Sequence, residues 1–324
     1  MILVYWLILV NLVAFILYGA DKSFARKGAR RIPERTLLLW AWLGGSTGAF
    51  LGMQIFRHKT KKPKFFVTVP ALMVLEIAIC IFCLFQNYHL TTTEYEADIG
   101  LAQDITIVQV SDLHNQFFGF NESVLLDRIE KADPDIIVVT GDIVDSTHTS
   151  YGIALDFIEG AVKIAPVYYV TGNHEVRLRG SRYDDFCDQM ESLGVIMLDD
   201  AYVETDEYII AGIADRSLDD FNAYPAFPDD KPVIMLAHEP QYTSLYERLG
   251  ADLVLTGHYH GGQIIIPGLG GVISPEVEIF PERYEGLHKI GDMQLVISRG
   301  LGNSILPVRI NNYPELVVGR CPWI

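Results

Sequence analysis

Five short runs set most of what this chain can fold into: Asp112-Leu113-His114, Gly141-Asp142, Gly172-Asn173-His174-Glu175, His238 and Gly257-His258-Tyr259-His260. Each follows an apolar, β-branched stretch, at 105–110, 136–140, 167–171, 233–237 and 253–256, of strand length and composition. A sixth such run lies at 209–213. Helix-like stretches fall between them at 122–131, 152–163, 183–193 and 242–249, with Asn121 a candidate N-cap for the first. Strands alternating with helices predict an α/β fold whose strands are buried and largely parallel. In such sheets the working residues collect where strands end, which is where all five runs stand. Beyond Gly261 the helical stretches stop and glycine- and proline-punctuated strands follow, so the end is expected to be β-rich.

The side chains gathered there are His, carboxylate and amide, a set suited to Mn, Fe, Zn or Ni rather than to Ca or a thiolate site. Seven of these nine groups would already exceed what one ion needs, whereas two ions sharing a carboxylate would use all seven. Cys80, Cys83, Cys187 and Cys321 are scattered and are expected to be unpaired thiols rather than a metal cluster. Gly268-Leu269-Gly270-Gly271 does not convincingly follow a strand, opens no helix and carries no P-loop lysine, so no nucleotide loop is predicted. Residues 101–324 hold 14 Lys/Arg against 35 Asp/Glu, a net of −21. That balance excludes nucleic acid as substrate, which needs a Lys/Arg-lined surface.

The pattern Asp-x-His, Gly-Asp, Gly-Asn-His, a lone His, then Gly-His-x-His resembles the calcineurin-like metallophosphoesterases over roughly residues 105–320. The stretches His258-Tyr-His260-Gly-Gly-Gln263, Ser298-Arg-Gly-Leu-Gly302 and Pro307-Val-Arg309 to Pro314-Glu315 look most like a bacterial, membrane-associated branch. The resemblance implies a double β-sandwich flanked by helices. It implies that Asp112, His114, Asp142 and His260 hold one divalent metal ion, and that Asp142, Asn173, His238 and His258 hold the second. Mn is the expected metal, and a hydroxide bridging the two ions the expected nucleophile, which agrees with the lack of a Ser or Cys motif. His174 is assigned to contacting the phosphoryl group and protonating the leaving oxygen. Glu175 and Asp145 are candidates for orienting His174 or a ligand imidazole, and Arg299 and Arg309 for contacting a substrate phosphate. One departure is Glu175, where much of the superfamily has Asp.

The front of the chain is of another kind, with 11 Lys/Arg against 6 Asp/Glu over residues 1–100, a net of +5. Residues 1–19 are apolar but for Asn11. About 20 such residues, rising ~1.5 Å each, cover a ~30 Å hydrocarbon core. With no basic n-region and a poor cleavage site at Tyr18-Gly19-Ala20, an uncleaved anchor is expected. Residues 65–85 form a second span holding Glu76. A carboxylate there costs roughly 2.5–3.5 kcal/mol on insertion scales, so it should face another helix. Between them, 36–56 is laced with small residues four apart, Gly44, Gly48 and Gly52 beside Ala41, Gly45 and Ala49. This middle segment either spans or forms a re-entrant hairpin breaking at Gly44-Gly45.

Lys22, Arg26, Lys27, Arg30, Arg31 and Arg35 flank it on one side, and Arg57, Lys59, Lys61, Lys62 and Lys64 on the other. The positive-inside rule wants both loops in the cytoplasm, which only the hairpin permits. The runs Tyr18-Gly-Ala-Asp-Lys22, Arg31-Ile-Pro-Glu34, Leu43-Gly-Gly45, Gly48-Ala49 and Arg57-His-Lys-Thr60 resemble a small bacterial membrane domain whose function is not established.

The expected organisation is a membrane domain at 1–88 (segments about 1–19, 36–56 and 65–85), a linker at 89–104 with room for an entry strand, and the phosphoesterase domain at 105–324. The expected protein is a multi-pass membrane phosphoester hydrolase, most simply a phosphodiesterase, of a bacterial cell membrane with its catalytic domain extracytoplasmic. Phe117, Phe118 and Phe120, with Leu218, Phe221, Tyr224 and Phe227, could rim the site for a lipid-linked substrate. The alternatives are a pyrophosphatase acting at the cytoplasmic face on a nucleotide-linked lipid such as UDP-diacylglucosamine, a non-catalytic scaffold on the same fold, and a transporter with an attached regulatory domain.

Overall fold

Contacts divide the chain where its composition changes, into units Met1–Leu84 and Phe85–Ile324. The computed structural model describes residues 2–178, 180–220, 227–228, 230–303 and 308–322. Three segments are long and apolar enough to cross a membrane, Tyr5–Arg26, Glu34–Ile55 and Pro63–Tyr88. They comprise α1 (Ile2–Arg26), α2 (Glu34–Trp40), a wide turn at Ala41–Gly45, α3 (Ser46–Ile55), α4 (Pro63–Phe66) and α5 (Thr68–Tyr88). Gly44, at φ 102°, breaks the middle segment between α2 and α3. A left-handed backbone of that kind is open to glycine at little cost. Ala14, Tyr18, Leu37, Ala41, Ala49, Met53, Phe65 and Val69 form this unit's core, while Leu12, Leu51, Val74 and Ile81 stay exposed, as lipid-facing side chains would. Glu76 meets a helix as expected, accepting from Ser46 Oγ.

In the rear unit all six apolar runs form strands, and most are buried on both faces. In chain order the strands are β1 (Thr91–Glu96), β2 (Ile105–Val110), β3 (Ile136–Val139), β4 (Val167–Tyr169), β5 (Ile196–Met197), β6 (Ala201–Glu204), β7 (Ile209–Gly212), β8 (Val233–Leu236), β9 (Leu253–Thr256), β10 (Ile265–Ile266), β11 (Gly270–Gly271), β12 (Gly286–Ile290), β13 (Met293–Ile297) and β14 (Glu315–Cys321). The helices are α6 (Ser123–Ala132), α7 (Tyr151–Ala161), α8 (Asn173–Val176), α9 (Arg182–Ser192) and α10 (Thr243–Arg248). Two six-stranded sheets result, β1-β14-β2-β3-β4-β5 and β12-β13-β9-β8-β7-β6. In each, the central strands β2-β3-β4 and β7-β8-β9 are parallel, as the βα alternation requires.

The period-2 alternation of strand side chains sends each sheet's residues into two different cores. Ile107, Val138 and Val170 meet Ile210, Ile234, Leu236 and Leu255 between the sheets. Val108, Ile137 and Val139 face outward and are covered by Leu125, Ile129, Phe157 and Phe186 of the helices. Ala211, Met235 and Val254 are covered by Leu245 and Tyr246 of α10. This is the expected double sandwich flanked by helices.

One local expectation is corrected. Asn121 is not the cap of α6: it lies in a tight turn at φ 51°, and Glu122 precedes the helix with its carboxylate turned back to accept from the Phe118 N–H. The linker stretch contains an entry strand, β1, which pairs in parallel with β14. Among the described residues no disulfide joins any of the four cysteines.

Candidate metal centre

The ends of β2, β3, β4, β8 and β9 converge on one buried cluster. Asp112, His114, Asp142, Asn173, His174, His238, His258 and His260 are all buried. Their oxygens and ring nitrogens fall into three tight groups: Asp112 with His114 and His260, His114 with Asp142 and His174, and Asp142 with His238 and His258. Asp142 joins them, since its Oδ2 lies 3.6 Å from His114 Nε2 and 3.2 Å from His238 Nε2. On one side Asp112 Oδ1 is 3.6 Å from His260 Nε2. On the other, His258 Nδ1 is 3.1 Å from both His238 Nε2 and Asn173 Nδ2.

Local backbone explains the close approach. Gly257 packs on the first run so tightly that a Cβ there would collide with Ser111 Oγ and Asp112 Oδ2. The Asp112 carboxylate accepts from the His258 N–H and from Ser111 Oγ. Asp142 Oδ1 accepts from the His174 N–H at 2.7 Å.

The cluster fits a pair of divalent ions on its own evidence. His114 Nδ1 and Nε2, His260 Nδ1 and Asn173 Oδ1 are buried without a hydrogen-bond partner among the described residues, and buried polar atoms in that state call for an ion or water. His238 Nδ1 donates to the Thr140 carbonyl at 2.7 Å, which leaves Nε2 toward Asp142. Burial pushes the His114 imidazole down to about 3 and holds His260 well below its usual range, so both are neutral, as metal ligation requires. Against the upward push of burial, His238 holds the Asp142 carboxyl well below its ordinary value.

Around these groups the assignments divide. His174 Nδ1 accepts from the Ser146 N–H at 3.1 Å, which puts the proton of the neutral ring on Nε2. Asp145 lies 4.0 Å from His174 Nδ1 and 3.9 Å from His114 Nδ1, held by the N–H groups of Thr147 and His148. Glu175 touches backbone rather than an imidazole: it accepts from the N–H groups of Asp142, Val144 and Gly172, tying the second run to the third.

Neither candidate arginine lines the cavity that opens on the cluster. Arg309 is wholly buried, donating to the carbonyls of Arg299 and Gly302. Arg299 pairs with Glu315 at 2.9 Å and Glu285 at 3.3 Å, beside Thr91 and Thr93 of β1. The cavity, about 520 Å³, contains Arg177 instead, with Glu239, Tyr259, Gln263 and Glu276. Arg177 was findable, since it follows Asn173 by one helical turn. Glu276 carries no motif, yet its Oε1 is 2.7 Å from His258 Nε2.

Of the aromatic rim, Phe118 is core, while Phe117 and Phe120 are exposed. Leu218 is buried, Phe227 packs against the core beside α10, and Phe221 and Tyr224 lie outside the described residues. Exposed apolar side chains of Ile273 and Val277 line the cavity itself.

Comparison with known proteins agrees with this geometry. The family described as calcineurin-like phosphoesterase matches residues 105–262, and a family described as protein of unknown function (DUF1294) matches residues 11–65. The chain is 25% identical to the uncharacterized metallophosphoesterase YkoQ of Bacillus subtilis, over 75% of this chain and 97% of that protein. It is 26% identical to the phosphodiesterase YaeI of Escherichia coli, over 67% of this chain and 82% of that protein. Its front is 46% identical to the uncharacterized protein YsdA of Bacillus subtilis, over 24% of this chain and 85% of that protein. With two His/Asp clusters sharing one carboxylate at the strand ends, the chain carries a calcineurin-like metallophosphoesterase domain with a DUF1294 region in front of it.

Proposed function

We propose that this is a membrane-anchored phosphodiesterase of a bacterial cell membrane, its catalytic domain extracytoplasmic. The observation that carries the chemistry is the sharing of Asp142 between two buried ligand groups that open on one cavity. Asp112, His114, Asp142 and His260 would hold one divalent ion, and Asp142, Asn173, His238 and His258 the other. The nitrogen and oxygen ligands suit Mn, with Fe, Zn and Ni as alternatives. Such a pair of ions, when bound, lowers the pKa of water and neutralises charge on the phosphoryl oxygens.

The chain's own residues do the rest. The His174 Nε2 proton is delivered to the leaving oxygen, while the Ser146 N–H holds the ring through Nδ1. Arg177 meets a non-bridging phosphoryl oxygen. Glu276 adds negative charge to the cavity wall, its carboxyl held, against the upward push of burial, below its ordinary value by His258. It disfavours a dianionic monoester more than a monoanionic diester, and so favours the diester. Ile273 and Val277 give an apolar wall to the organic part of the substrate, in keeping with a lipid-linked ester. The convergence of every expected ligand with His174 speaks against a non-catalytic scaffold.

The test is hydrolysis of bis-p-nitrophenyl phosphate against p-nitrophenyl phosphate by the full chain, stripped of metal and reloaded with Mn. Metal-dependent diester cleavage, lost by at least 100-fold in Asp142→Asn and His174→Ala, is expected. Preferential monoester cleavage, or activity surviving either substitution, would overturn the proposal.

A further inference from the structure

We propose that the front unit is two membrane spans and one re-entrant hairpin, whose basic loops form a single face held against the anionic headgroups of one leaflet. By length and composition α2 to α3 is long enough for a third span, so contacts must decide. Loop to loop, Asp21 joins both flanks of the segment. It is fully buried, bonded twice by Arg31 at 2.6 and 2.7 Å, and 2.7 Å from His58 Nε2. Lys22 donates to the Arg57 carbonyl, and Glu34 accepts from Lys59 and Lys62. The start and finish of the segment therefore lie together. A straight 22-residue helix would part them by about 33 Å.

The packing of α3 on α1 says the same. Gly44 lies against Leu7 and Val10, Gly48 against Asn11, and Gly52 against Phe15 and Tyr18. Phe56 ends the series beside Phe15 and Gly19. As α3 advances it follows α1 in the same direction, back toward the loop that α2 left. The break occurs about halfway, where bare backbone in lipid would be costly unless protein satisfies it. Asn11 does so: its Nδ2 donates to the Gly44 carbonyl at 2.8 Å, and its Oδ1 accepts from the Gly48 N–H at 2.7 Å. Trp6 Nε1 donates to the Leu43 carbonyl at 3.2 Å. The one clearly polar side chain of the first apolar run is thus the cap of a broken helix.

Every Lys and Arg in the first 127 residues lies between Lys22 and Lys64. Arg26, Lys27, Arg30, Arg31, Arg35, Arg57, Lys61, Lys62 and Lys64 are exposed. Folding the hairpin back puts all nine at one end of the unit. A cluster of this density is attracted to anionic lipid near the surface, and marks the cytoplasmic leaflet. From that end α5 carries the chain to the opposite end.

The test labels single cysteines in the full chain, in spheroplasts of a bacterial host, with a membrane-impermeant maleimide. The four native cysteines are replaced by alanine, and Lys27→Cys, Lys61→Cys and Ala102→Cys are made one at a time. Positions 27 and 61 should react only after permeabilisation, and position 102 without it. Labelling of 27 and 61 from opposite sides would overturn the hairpin, and labelling of both from outside would overturn the leaflet. The result does not depend on hydrolysis, so it stands apart from the proposed reaction.

For the headgroups, native mass spectrometry is applied to the full chain released from nanodiscs of equal phosphatidylcholine and phosphatidylglycerol. Retained phosphatidylglycerol should exceed phosphatidylcholine, and fall at least threefold when Arg26, Arg30, Lys61 and Lys64 are together changed to glutamine. Equal retention of the two lipids by the unaltered chain would overturn the partner.

Discussion

Five of the seven proposed ligands, Asp112, His114, Asp142, His258 and His260, hold left-handed backbone, with φ of 51°, 45°, 56°, 66° and 46°. Each such residue costs of order 1–3 kcal/mol and persists only where its surroundings enforce it, as tight glycine contacts and Glu175 do here. The motifs were legible because a ligand set must recur as residue types at strand ends. Glu276 was not, because it reaches His258 across a loop with no periodic pattern. Its contact makes a firm prediction. A carboxylate on the far nitrogen of a ligand imidazole fixes the ring and raises its basicity, and losing one typically costs 10–100-fold in metal affinity. Glu276→Gln should therefore weaken Mn binding by about tenfold in titration calorimetry, and unchanged affinity would show that the contact orients nothing.

Glu122 gives a second residue-scale prediction. Burial pushes its carboxyl up to about 7, despite the opposing Phe118 N–H. The folded state therefore binds this proton more tightly than the unfolded chain, whose value is 4.5. The contribution to stability is fully present below 4.5 and is lost as pH rises through about 7. Glu122→Gln should flatten the fall in Tm across that window and leave the variant more stable than the parent above pH 7. Parallel Tm curves for the two proteins would refute this.

At the scale of elements, the six buried strands were legible because fully covered β-strands read as continuous apolar runs. The first strand was legible only as an entry strand within a linker, not in its pairing: Thr91-Thr92-Thr93-Glu94-Tyr95-Glu96 alternates between half-buried and exposed, and its partner β14 lies more than 200 residues away in sequence. Hydropathy alone left the middle apolar segment open as a span or a hairpin, since it records burial in lipid or protein alike; the break at Gly44-Gly45 and the two basic flanks were what pointed to the hairpin. What settles β1 is what covers it. Thr93 donates to Glu315, Arg299 reaches Thr91 and Thr93, and Gln86 and Asn87 bond the backbone N–H groups of Asn311 and Arg309. Residues 85–324 should therefore fold alone, whereas residues 98–324, lacking β1, should unfold at least 10 °C lower or aggregate through the bared edge of β14. Equal thermal midpoints would show β1 to be an ornament on a complete sheet.

Across the whole molecule, charge is sorted along the chain, +5 over the first 100 residues and −21 over the remainder. On the proposed reading the two parts face different partners, since a net-negative domain is repelled by anionic headgroups while the exposed loop cations are drawn to them. The Lys and Arg of the loops, rather than net charge, would then set which side of the bilayer each part occupies. The long stretch from Phe65 to Asp127 without a single Lys or Arg offers no positive charge to hold the phosphoesterase domain on the side of the basic loops. A catalytic domain exported in this way must meet its substrate outside the cytoplasm, and activity can read that directly. Spheroplasts carrying the full chain should hydrolyse externally added bis-p-nitrophenyl phosphate, a charged diester that does not cross the bilayer, at nearly the rate seen after lysis. His174→Ala spheroplasts, which should be inactive in both states, correct for host enzymes. If hydrolysis instead appears only on lysis, the cavity opens to the cytoplasm, and a nucleotide-linked lipid becomes the substrate to test.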